Sequence, residues 1–446
     1  MLSTRGENYA NFWDLPWRYP PSQTYNNDTN PNGVISLALA ENAPMKEEIV
    51  KFINDKVAFG KDSVSYIPHP SIARRLRQGL ADHFGRYFHP REPVNPDHIV
   101  ICANATALGN ILAQSLADPG DAILVSRPVY GRFELDYGIQ AGVSIVYADT
   151  EPEEAFSPEV VKKFEDALVR TGREGQRIRA VLIVNPNNPV GRCYPPETLE
   201  AIADFCARHK LHLISDEIYA LSTFDSGDPS AKPFTSVLSL QLPIEPNLVH
   251  VLYGFAKTGY VDSYPLLQEA DNDQDFASGG LSLGFLLTSN EQLRTASSAL
   301  MRFHRPSGLA LVFGSAVLED VDFVASFTAK TREHLTKSYK LVTSALDEKG
   351  IPYVKGGSGG FFVYIDLSRF LPSGEDEHPP PLSRTYNSRQ ATEREFALAR
   401  KLLDAGVVLH PGEEHGKHIG WFRLVFSQDE DTLREGLARL LKALGV

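Results

Sequence analysis

In the middle of this chain, apolar residues occur in two patterns: short continuous runs and repeats at helical spacing. Short, almost uninterrupted apolar runs recur between His98 and Thr288, and many are separated by stretches with apolar residues at helical spacing. Buried strands that alternate with helices are typical of a mostly parallel sheet covered by helices on both faces. The pattern predicts strands at 98–103, 122–126, 143–148, 180–185, 211–216, 248–253 and 281–288, with helices such as 106–117 and 199–210 between them.

The two ends of the chain have a different pattern. Residues 1–35 are rich in Asn, Pro, Tyr and Trp without a strand or helix period, which predicts an extended arm. A short strand at 35–42 and helices at 45–57 and 71–88 follow, and from about Val324 helices again dominate around strands at 359–367 and 421–427. We therefore predict a small α+β domain that draws on both ends of the chain. The predicted division is 1–75 for the arm and part of the small domain, 76–323 for the large domain and 324–446 for the rest of the small domain.

Composition and charge disfavour several classes of binding partner. The chain carries 44 basic and 56 acidic residues, a net charge of −12, which disfavours a nucleic-acid binder or a protein held on an anionic membrane. Its three cysteines, Cys102, Cys193 and Cys206, form no CxxC pair, so neither a disulfide framework nor a structural zinc site is expected. The sequence shows no secretory signal and no apolar run of about 18 residues. We expect a cytoplasmic protein with a small-molecule substrate and no bound metal.

Polar residues end three consecutive predicted strands. The run VLIVNPNNPVG places Asn188 in a loop after one strand, HLISDEIY ends the next with Asp216 and Tyr219, and LVHVLYGFAK delivers Lys257. In open α/β sheets ligands bind beyond the carboxyl ends of the strands. Lys, Asp, Asn and Tyr there are what a pyridoxal 5′-phosphate (PLP) enzyme needs: Lys forms the Schiff base, Asp keeps the pyridinium nitrogen protonated, and Asn and Tyr bind the ring oxygen. A strand-end Lys or Asp is commonly only a solvated end or a helix cap, and the ordered combination favours the cofactor.

Further residues can complete such a site. Ala105 and Thr106 open a predicted helix, where main-chain N–H groups and the helix dipole favour a phosphate. Tyr130, in RPVYGRF, can stack on the pyridine ring or be an ordinary loop aromatic. Arg423 lies mid-strand in WFRLVFS, where a buried guanidinium needs an anionic partner. That partner is either an internal carboxylate or the carboxylate of a substrate.

As a set, the motifs NPNNPVG, SDEIY, YGFAK and SGGL resemble those of the fold-type I PLP enzymes. The similarity runs from LALAEN (37–42) to WFRLVFS and is to the class I/II aminotransferase branch that contains 1-aminocyclopropane-1-carboxylate synthase. The resemblance implies a large PLP-binding domain with a mostly parallel sheet, a smaller α+β domain, and a homodimer with active sites at the subunit interface. By motif position it also implies that Tyr66 reaches the neighbouring subunit's cofactor and that Glu41 lies beside the substrate.

The chain departs from this family around the lysine. Relatives usually carry a phosphate-binding basic residue eight positions after it, whereas here the polar segment TGYVDSYPLLQEADNDQ (258–274) follows Lys257. Without those 17 residues Ser282 would stand at that position, as a hydroxyl donor to the phosphate. Gly254 also stands where many relatives have a phosphate-binding Ser. The segment is either a family-specific loop or an intron translated by a wrong gene model.

The expected activity is that of a PLP-dependent enzyme on an amino acid or an amino-acid-derived substrate, with transamination as the first expectation. A carbon–sulfur lyase or a 1-aminocyclopropane-1-carboxylate synthase-like lyase is the alternative, because both begin from the same substrate carbanion. The resemblance extends to fungal secondary-metabolism enzymes, including carbon–sulfur lyases of epidithiodiketopiperazine toxins. A non-enzymatic alternative is that the chain is a catalytically inactive member of the family. A nicotinamide dehydrogenase is disfavoured because no GxGxxG opens the sheet.

Overall fold

The computed structural model describes residues 1–13, 24–65, 70–255, 275–374, 393–412, 416 and 418–446. Lys257 and Tyr66 lie outside the described residues. The strands are β1 Ile35–Ser36, β2 Ile99–Cys102, β3 Ala122–Arg127, β4 Ser144–Asp149, β5 Ile178–Val184, β6 His212–Asp216, β7 Val249–Gly254, β8 Gly284–Thr288, β9 Phe362–Asp366, β10 Val407–Val408, β11 His410–Pro411 and β12 Trp421–Val425. The helices are α1 Thr4–Trp13, α2 Lys46–Lys56, α3 Pro70–Tyr87, α4 Ala105–Leu116, α5 Phe133–Gly138, α6 Pro152–Ala155, α7 Val160–Arg173, α8 Pro196–His209, α9 Glu291–His304, α10 Gly308–Glu319, α11 Val321–Glu348, α12 Glu393–Asp404 and α13 Glu430–Leu444.

Seven strands form the central sheet, in the order β2-β8-β7-β6-β5-β3-β4. Strand β8 runs antiparallel to both of its neighbours, and the other pairs in this sheet are parallel. The predicted mostly parallel α/β sheet is therefore confirmed. Parallel order places the carboxyl ends of β5, β6 and β7 side by side at one edge.

Both faces of the sheet are buried, as its apolar strands predict. In β5, Val181 and Ile183 pack into one apolar core, while Ala180, Leu182 and Val184 pack into another on the opposite face. Helix α3 contributes to the first core and α4 to the second. Because side chains alternate along a strand, both cores hold β5 in a single register.

A smaller group of strands lies outside the central sheet. Strands β11, β12 and β9 form a three-stranded antiparallel sheet, and β1 pairs in parallel with β10 through Ile35 and Val407. Residues near both ends of the chain thus share one apolar core, together with α11 and α13. The domain limits 1–75, 76–323 and 324–446 stay a prediction.

The prediction of an extended N-terminal arm is wrong for its first part, because Thr4–Trp13 form helix α1. The Ser3 hydroxyl accepts the Gly6 N–H at 3.1 Å, which caps the helix start, and the Glu7 N–H bonds the Ser3 carbonyl at 2.9 Å. The sequence signal for this helix is a capping Ser followed by an acidic residue in the first turn. Apolar periodicity does not reveal the helix, because a short surface helix needs no apolar stripe.

Two predicted strands are shorter than expected. The strand predicted at 35–42 is regular only over Ile35–Ser36, and the one predicted at 281–288 begins at Gly284, after a short 3₁₀ turn at Gly279–Leu281. Among the described residues, no helix is long and apolar enough to span a bilayer.

Candidate active site

The carboxyl edge of the central sheet gathers three of the predicted residues. Asp216 is the last residue of β6, opposite Val184 of β5 and Leu252 of β7, and it is buried. Asn188 follows β5 in the same edge and is also buried, while Tyr219 lies in the turn directly after β6. Sequence order and strand order therefore bring the amide, the carboxylate and the phenol to one place.

Arg423 of β12 reaches this edge from the smaller sheet. Its side chain is 0% exposed, its Nη1 donates to the Asn188 Oδ1 at 3.1 Å, and its Nη2 donates to the Ala38 carbonyl at 2.7 Å. The guanidinium also lies 5.0 Å from the centre of the Phe362 ring, within cation–π distance. Since the Asn188 oxygen accepts from Arg423, its Nδ2 group is the end of the amide that can donate to a ligand.

Aromatic packing holds Tyr219 in place. Its ring meets Phe361 and Phe362 edge-on, with ring centres 5.5 and 5.2 Å apart. The loop that carries Asn188 packs on the same segment: Gly191 has φ +75°, and a Cβ there would lie 2.6 Å from the Phe362 carbonyl oxygen. Glycine is therefore required at 191 by both its conformation and its close approach.

The start of α4 has the geometry of an anion site. Asn104 caps the helix, because its Oδ1 accepts the Ala107 N–H at 2.7 Å, and Ala105 and Thr106 are the first two helical residues. The beginning of β8 packs directly on this turn, since a Cβ on Gly284 would lie 2.6 Å from the Asn104 carbonyl carbon. The fold thus brings the chain around Ser282 to the N-terminus of α4.

Ser282 is partly exposed and has a left-handed backbone, with φ +48°. Its hydroxyl lies 3.4 Å from the Gly279 carbonyl oxygen, which is a long hydrogen bond. A bond of that length leaves the hydroxyl able to turn toward another acceptor. Tyr130 is buried, and its ring packs edge-on against Phe133 at 5.2 Å.

Glu41 lies on the segment that packs against β12. The Leu37 carbonyl accepts the Val425 N–H at 2.8 Å, and the Glu41 carbonyl accepts the Ser427 hydroxyl. The Glu41 carboxylate itself pairs with Lys46. The structure therefore places Glu41 near the strand of Arg423, and its predicted position beside a substrate stays a prediction.

Two further buried groups adjoin Asp216. Burial, together with the charges of Asp216 and Asp136, raises the pKa of the Tyr137 hydroxyl well above its ordinary value. Burial also raises the pKa of Glu217 to about 7, against three hydrogen bonds from Ser215, Ser236 and Val237. Sequence reasoning missed Tyr137, for which the only signal was its helical spacing from Phe133 after the Tyr130 loop.

The donor set fits a pyridine ring that carries an oxygen and a phosphate. A buried carboxylate can face a ring nitrogen, an amide Nδ2 and a phenol can donate to a ring oxygen, and a helix N-terminus can receive a phosphate. A buried guanidinium at the same edge suits a carboxylate ligand. Among the described residues, no cluster of His, Cys, Asp and Glu side chains suits a metal ion.

Comparison with known proteins agrees with this geometry. The model for "Aminotransferase class I and II" matches residues 34–260 and 274–440, and it leaves unmatched only 261–273 between them, within the extra segment. The mouse protein "1-aminocyclopropane-1-carboxylate synthase-like protein 1" is 30% identical over 99% of this chain and 83% of its own length. "Probable aminotransferase tcpI" of Claviceps purpurea is 29% identical over 92% of this chain and 89% of its own length.

The fold is likewise shared with solved structures. A Thermus thermophilus aspartate aminotransferase double mutant superimposes with a TM-score of 0.69 and 22% identity, covering 99% of this chain and 97% of that one. At this identity the likeness shows the fold alone, which is that of the fold-type I enzymes. The edge of the sheet, the family model and the relatives agree: this chain belongs to the class I and II aminotransferase family, whose cofactor is pyridoxal 5′-phosphate.

Proposed function

We propose that this chain is a PLP-dependent aminotransferase that acts on an amino acid or an amino-acid-derived substrate. The contact between Arg423 and Asn188 carries the proposal. It joins a buried guanidinium, a group whose planar fork can bind a carboxylate, to the loop that is proposed to bind the cofactor ring. A substrate carboxylate on Arg423 would then lie beside the reacting centre.

Each residue at the sheet edge has a distinct task in this proposal. When bound, PLP supplies an electron sink for the charge that develops at the substrate α-carbon. Asp216 keeps the ring nitrogen protonated, and Asn188 and Tyr219 donate to the ring oxygen. Lys257 would hold the cofactor and would carry the substrate α-proton, first as base and then as acid.

The remaining residues bind and orient. The N–H groups of Ala105 and Thr106 and the hydroxyl of Ser282 receive the phosphate. Tyr130 covers one face of the ring. Glu41 lies beside the substrate that Arg423 holds.

We also propose a homodimer, in which Tyr66 reaches the partner's cofactor. Three large apolar side chains on adjoining elements support it: Val64 is 74% exposed, Phe303 76% and Leu309 40%. The turn at 61–64 packs on the start of α10, because a Cβ on Gly308 would lie 2.0 Å from the Ser63 carbonyl oxygen. Exposed apolar side chains on packed neighbouring elements suit a subunit contact.

Light scattering tests the mass, and subunit mixing tests the shared site. Lys257→Ala and Tyr66→Ala chains should each be inactive alone. Refolded together, they should regain activity, because one site of the mixed dimer combines an intact Lys257 with an intact Tyr66 from the partner subunit. A monomer, or a mixture that stays inactive, would contradict the proposal.

A lyase of the same fold is the second candidate. The name of the mouse relative, a 1-aminocyclopropane-1-carboxylate synthase-like protein, favours it. Product analysis separates the two. An aminotransferase forms more than one equivalent of oxo acid only with an amino acceptor present, whereas a lyase turns over without an acceptor and releases a thiol, an alkene or a cyclised product. A role in specialised metabolism and a cytoplasmic location stay predictions.

A catalytically inactive family member is the third candidate, and Ser282 in place of a basic residue is the observation that favours it. The deciding test is a visible absorbance titration of the purified chain with PLP, followed by borohydride reduction and peptide mapping. A pyridoxyl adduct on Lys257, absent from Lys257→Ala, supports an enzyme and justifies a screen of amino donors. A chain with no adduct, before and after deletion of 258–274, contradicts it. An adduct that forms only after the deletion indicates that the segment does not belong to the natural protein.

A further inference from the structure

The turn after β6 leaves the sheet just where the proposed site begins. Main-chain pairing between β6 and β7 ends with the Glu217 N–H, which donates to the Leu252 carbonyl at 2.9 Å. Beyond it the chain turns on itself, with the Ser222 N–H bonded to the Tyr219 carbonyl at 3.0 Å. Among the described residues, no main-chain hydrogen bond ties the 218–222 turn to β7. Something other than the β-ladder must set the distance between Tyr219 and the strand that leads to Lys257.

A buried carboxylate fills that role. Asp275 accepts the Leu221 N–H at 3.0 Å and the Tyr253 hydroxyl at 3.1 Å on Oδ2, and the Ser222 hydroxyl at 2.6 Å on Oδ1. Asp275 is 3% exposed, and Ser222 and Tyr253 are 0% exposed. Three donors thus converge on one carboxylate, two from the turn and one from β7. Leaving a buried polar group without its partner is costly, so these bonds hold the turn and β7 together.

The network is anchored at both of its ends. The Tyr253 hydroxyl lies 3.1 Å from the Nε2 of His83 in α3. Because that hydroxyl gives its hydrogen to Asp275, His83 donates from Nε2–H. At the other end, the Ser222 carbonyl accepts the Gly360 N–H at 2.8 Å, next to the phenylalanines that pack on Tyr219. Helix α3, strand β7, the turn and the β9 segment are therefore linked through Asp275.

The residues that directly follow Asp275 also pack against Phe255, the residue after β7. Phe255 lies against the residues that follow Asp275: its carbonyl accepts the Ser278 hydroxyl at 3.3 Å, and its ring centre is 4.5 Å from that of Phe276. Both flanks of the extra segment are thus bound to each other. These contacts hold the chain at the end of β7 against the residues that follow Asp275.

We propose that Asp275 is a positioning residue: through Tyr253, Leu221 and Ser222 it sets the turn that carries Tyr219 against the strand that leads to Lys257. In this proposal, Asp275 itself does not touch the cofactor. This inference rests on the proposed function, because it presupposes that the site binds PLP. Removal of Asp275 should therefore alter how the site holds PLP, and not only how stable the fold is. A purely structural hydrogen bond would change stability alone.

The chain offers a matched control for this distinction. Tyr147 of β4 also has a buried hydroxyl that donates to a buried carboxylate, that of Glu134, at 2.8 Å. Tyr253→Phe and Tyr147→Phe remove the same atom from the same kind of bond in the same sheet. Only the first bond lies between the proposed lysine strand and the Tyr219 turn.

The experiment measures three quantities on wild type, Tyr253→Phe, Asp275→Asn and Tyr147→Phe. They are the PLP dissociation constant from absorbance titration, the pH midpoint of the visible band of bound PLP, and the thermal midpoint. We expect Tyr253→Phe and Asp275→Asn to weaken PLP binding about tenfold. We also expect them to move the pH midpoint by about half a unit or more. Tyr147→Phe should lower the thermal midpoint while both cofactor quantities stay near wild type.

The results distinguish failure of the positioning role from failure of the proposed function. Tyr253→Phe and Asp275→Asn proteins with a lowered thermal midpoint, but with wild-type PLP affinity and pH midpoint, would overturn the positioning role alone. A wild-type chain without a saturable visible band would overturn the proposed function and this inference with it. If Asp275→Asn does not fold, Tyr253→Phe and Ser222→Ala, which each remove one donor, decide by the same criteria.

Discussion

The ring end and the phosphate end of the proposed cofactor site are built from different kinds of groups. At the ring end, buried side chains from separate elements converge: Asp216 from β6, Asn188 from the loop after β5 and Arg423 from β12. At the phosphate end, the groups are the start of α4 and the partly exposed hydroxyl of Ser282. In the proposed function, ring chemistry thus depends on single side chains, whereas phosphate anchoring is spread over main-chain dipoles and a neutral hydroxyl.

The comparison predicts that a substitution at the ring end lowers turnover far more than a substitution at the phosphate end. Asp216→Asn should lower turnover by roughly 100- to 10 000-fold, because an amide cannot keep the ring nitrogen protonated. PLP affinity should fall much less. Steady-state kinetics and absorbance titration measure the two effects, with Asp204→Asn, at an exposed carboxylate on α8, as the control. Turnover within tenfold of wild type would remove Asp216 from the proposed role.

Arg423 gives the next largest effect. Arg423→Lys loses the planar group that bonds both Asn188 and Ala38, so KM for a carboxylate substrate should rise roughly 10- to 100-fold. Arg439→Lys is the control, because Arg439 also donates to main-chain carbonyls, those of Gly33 and Gly406, but on α13. The control should lower the thermal midpoint and leave KM near wild type. An unchanged KM in Arg423→Lys would contradict a substrate clamp.

The phosphate end should tolerate change. Ser282→Ala removes one neutral donor, so we expect the PLP dissociation constant to rise only about three- to tenfold, with turnover at saturating PLP unaltered. Ser298→Ala, at an exposed hydroxyl on α9, is the matched control. A hundredfold loss in Ser282→Ala would show that phosphate anchoring depends on this one side chain and would break the contrast between the two ends.

The smallest expected effect is on how the free energy of unfolding changes with pH, through buried carboxyl groups close to the ring end. Burial raises the pKa of Glu217 and that of Asp275 to about 7 in the folded chain, above the unfolded values near 4. The folded chain therefore binds protons more tightly, and the stability from these groups is complete below about pH 4 and is lost as the pH rises toward 7. Urea unfolding at several pH values measures this loss. Glu217→Gln should flatten the slope between pH 5 and 7, and an unchanged slope would contradict the assignment.

Much of the fold could be predicted because its signals are local. The apolar runs of β5, β6 and β7 and the helical spacing of α3 and α8 follow from burial on both faces of a sheet or on one face of a helix. Strand ends could not be predicted as well, because they depend on pairing with distant strands, which ends after Ser36 in β1 and begins at Gly284 in β8. Helix α1 was missed because capping by Ser3, and not an apolar stripe, marks its start.

The amino-acid sequence by itself determined the α/β class and the order in which Asn188, Asp216 and Tyr219 follow their strands, since strand periodicity and strand-end residues are local properties. Only the tertiary structure decided that Arg423 bonds Asn188, 235 positions away, and that Asp275 joins Tyr253 to the Tyr219 turn. Such contacts depend on how the two sheets and their helices pack together. Packing is the sum of many weak interactions between residues far apart in the chain, so a short stretch of sequence does not reveal it.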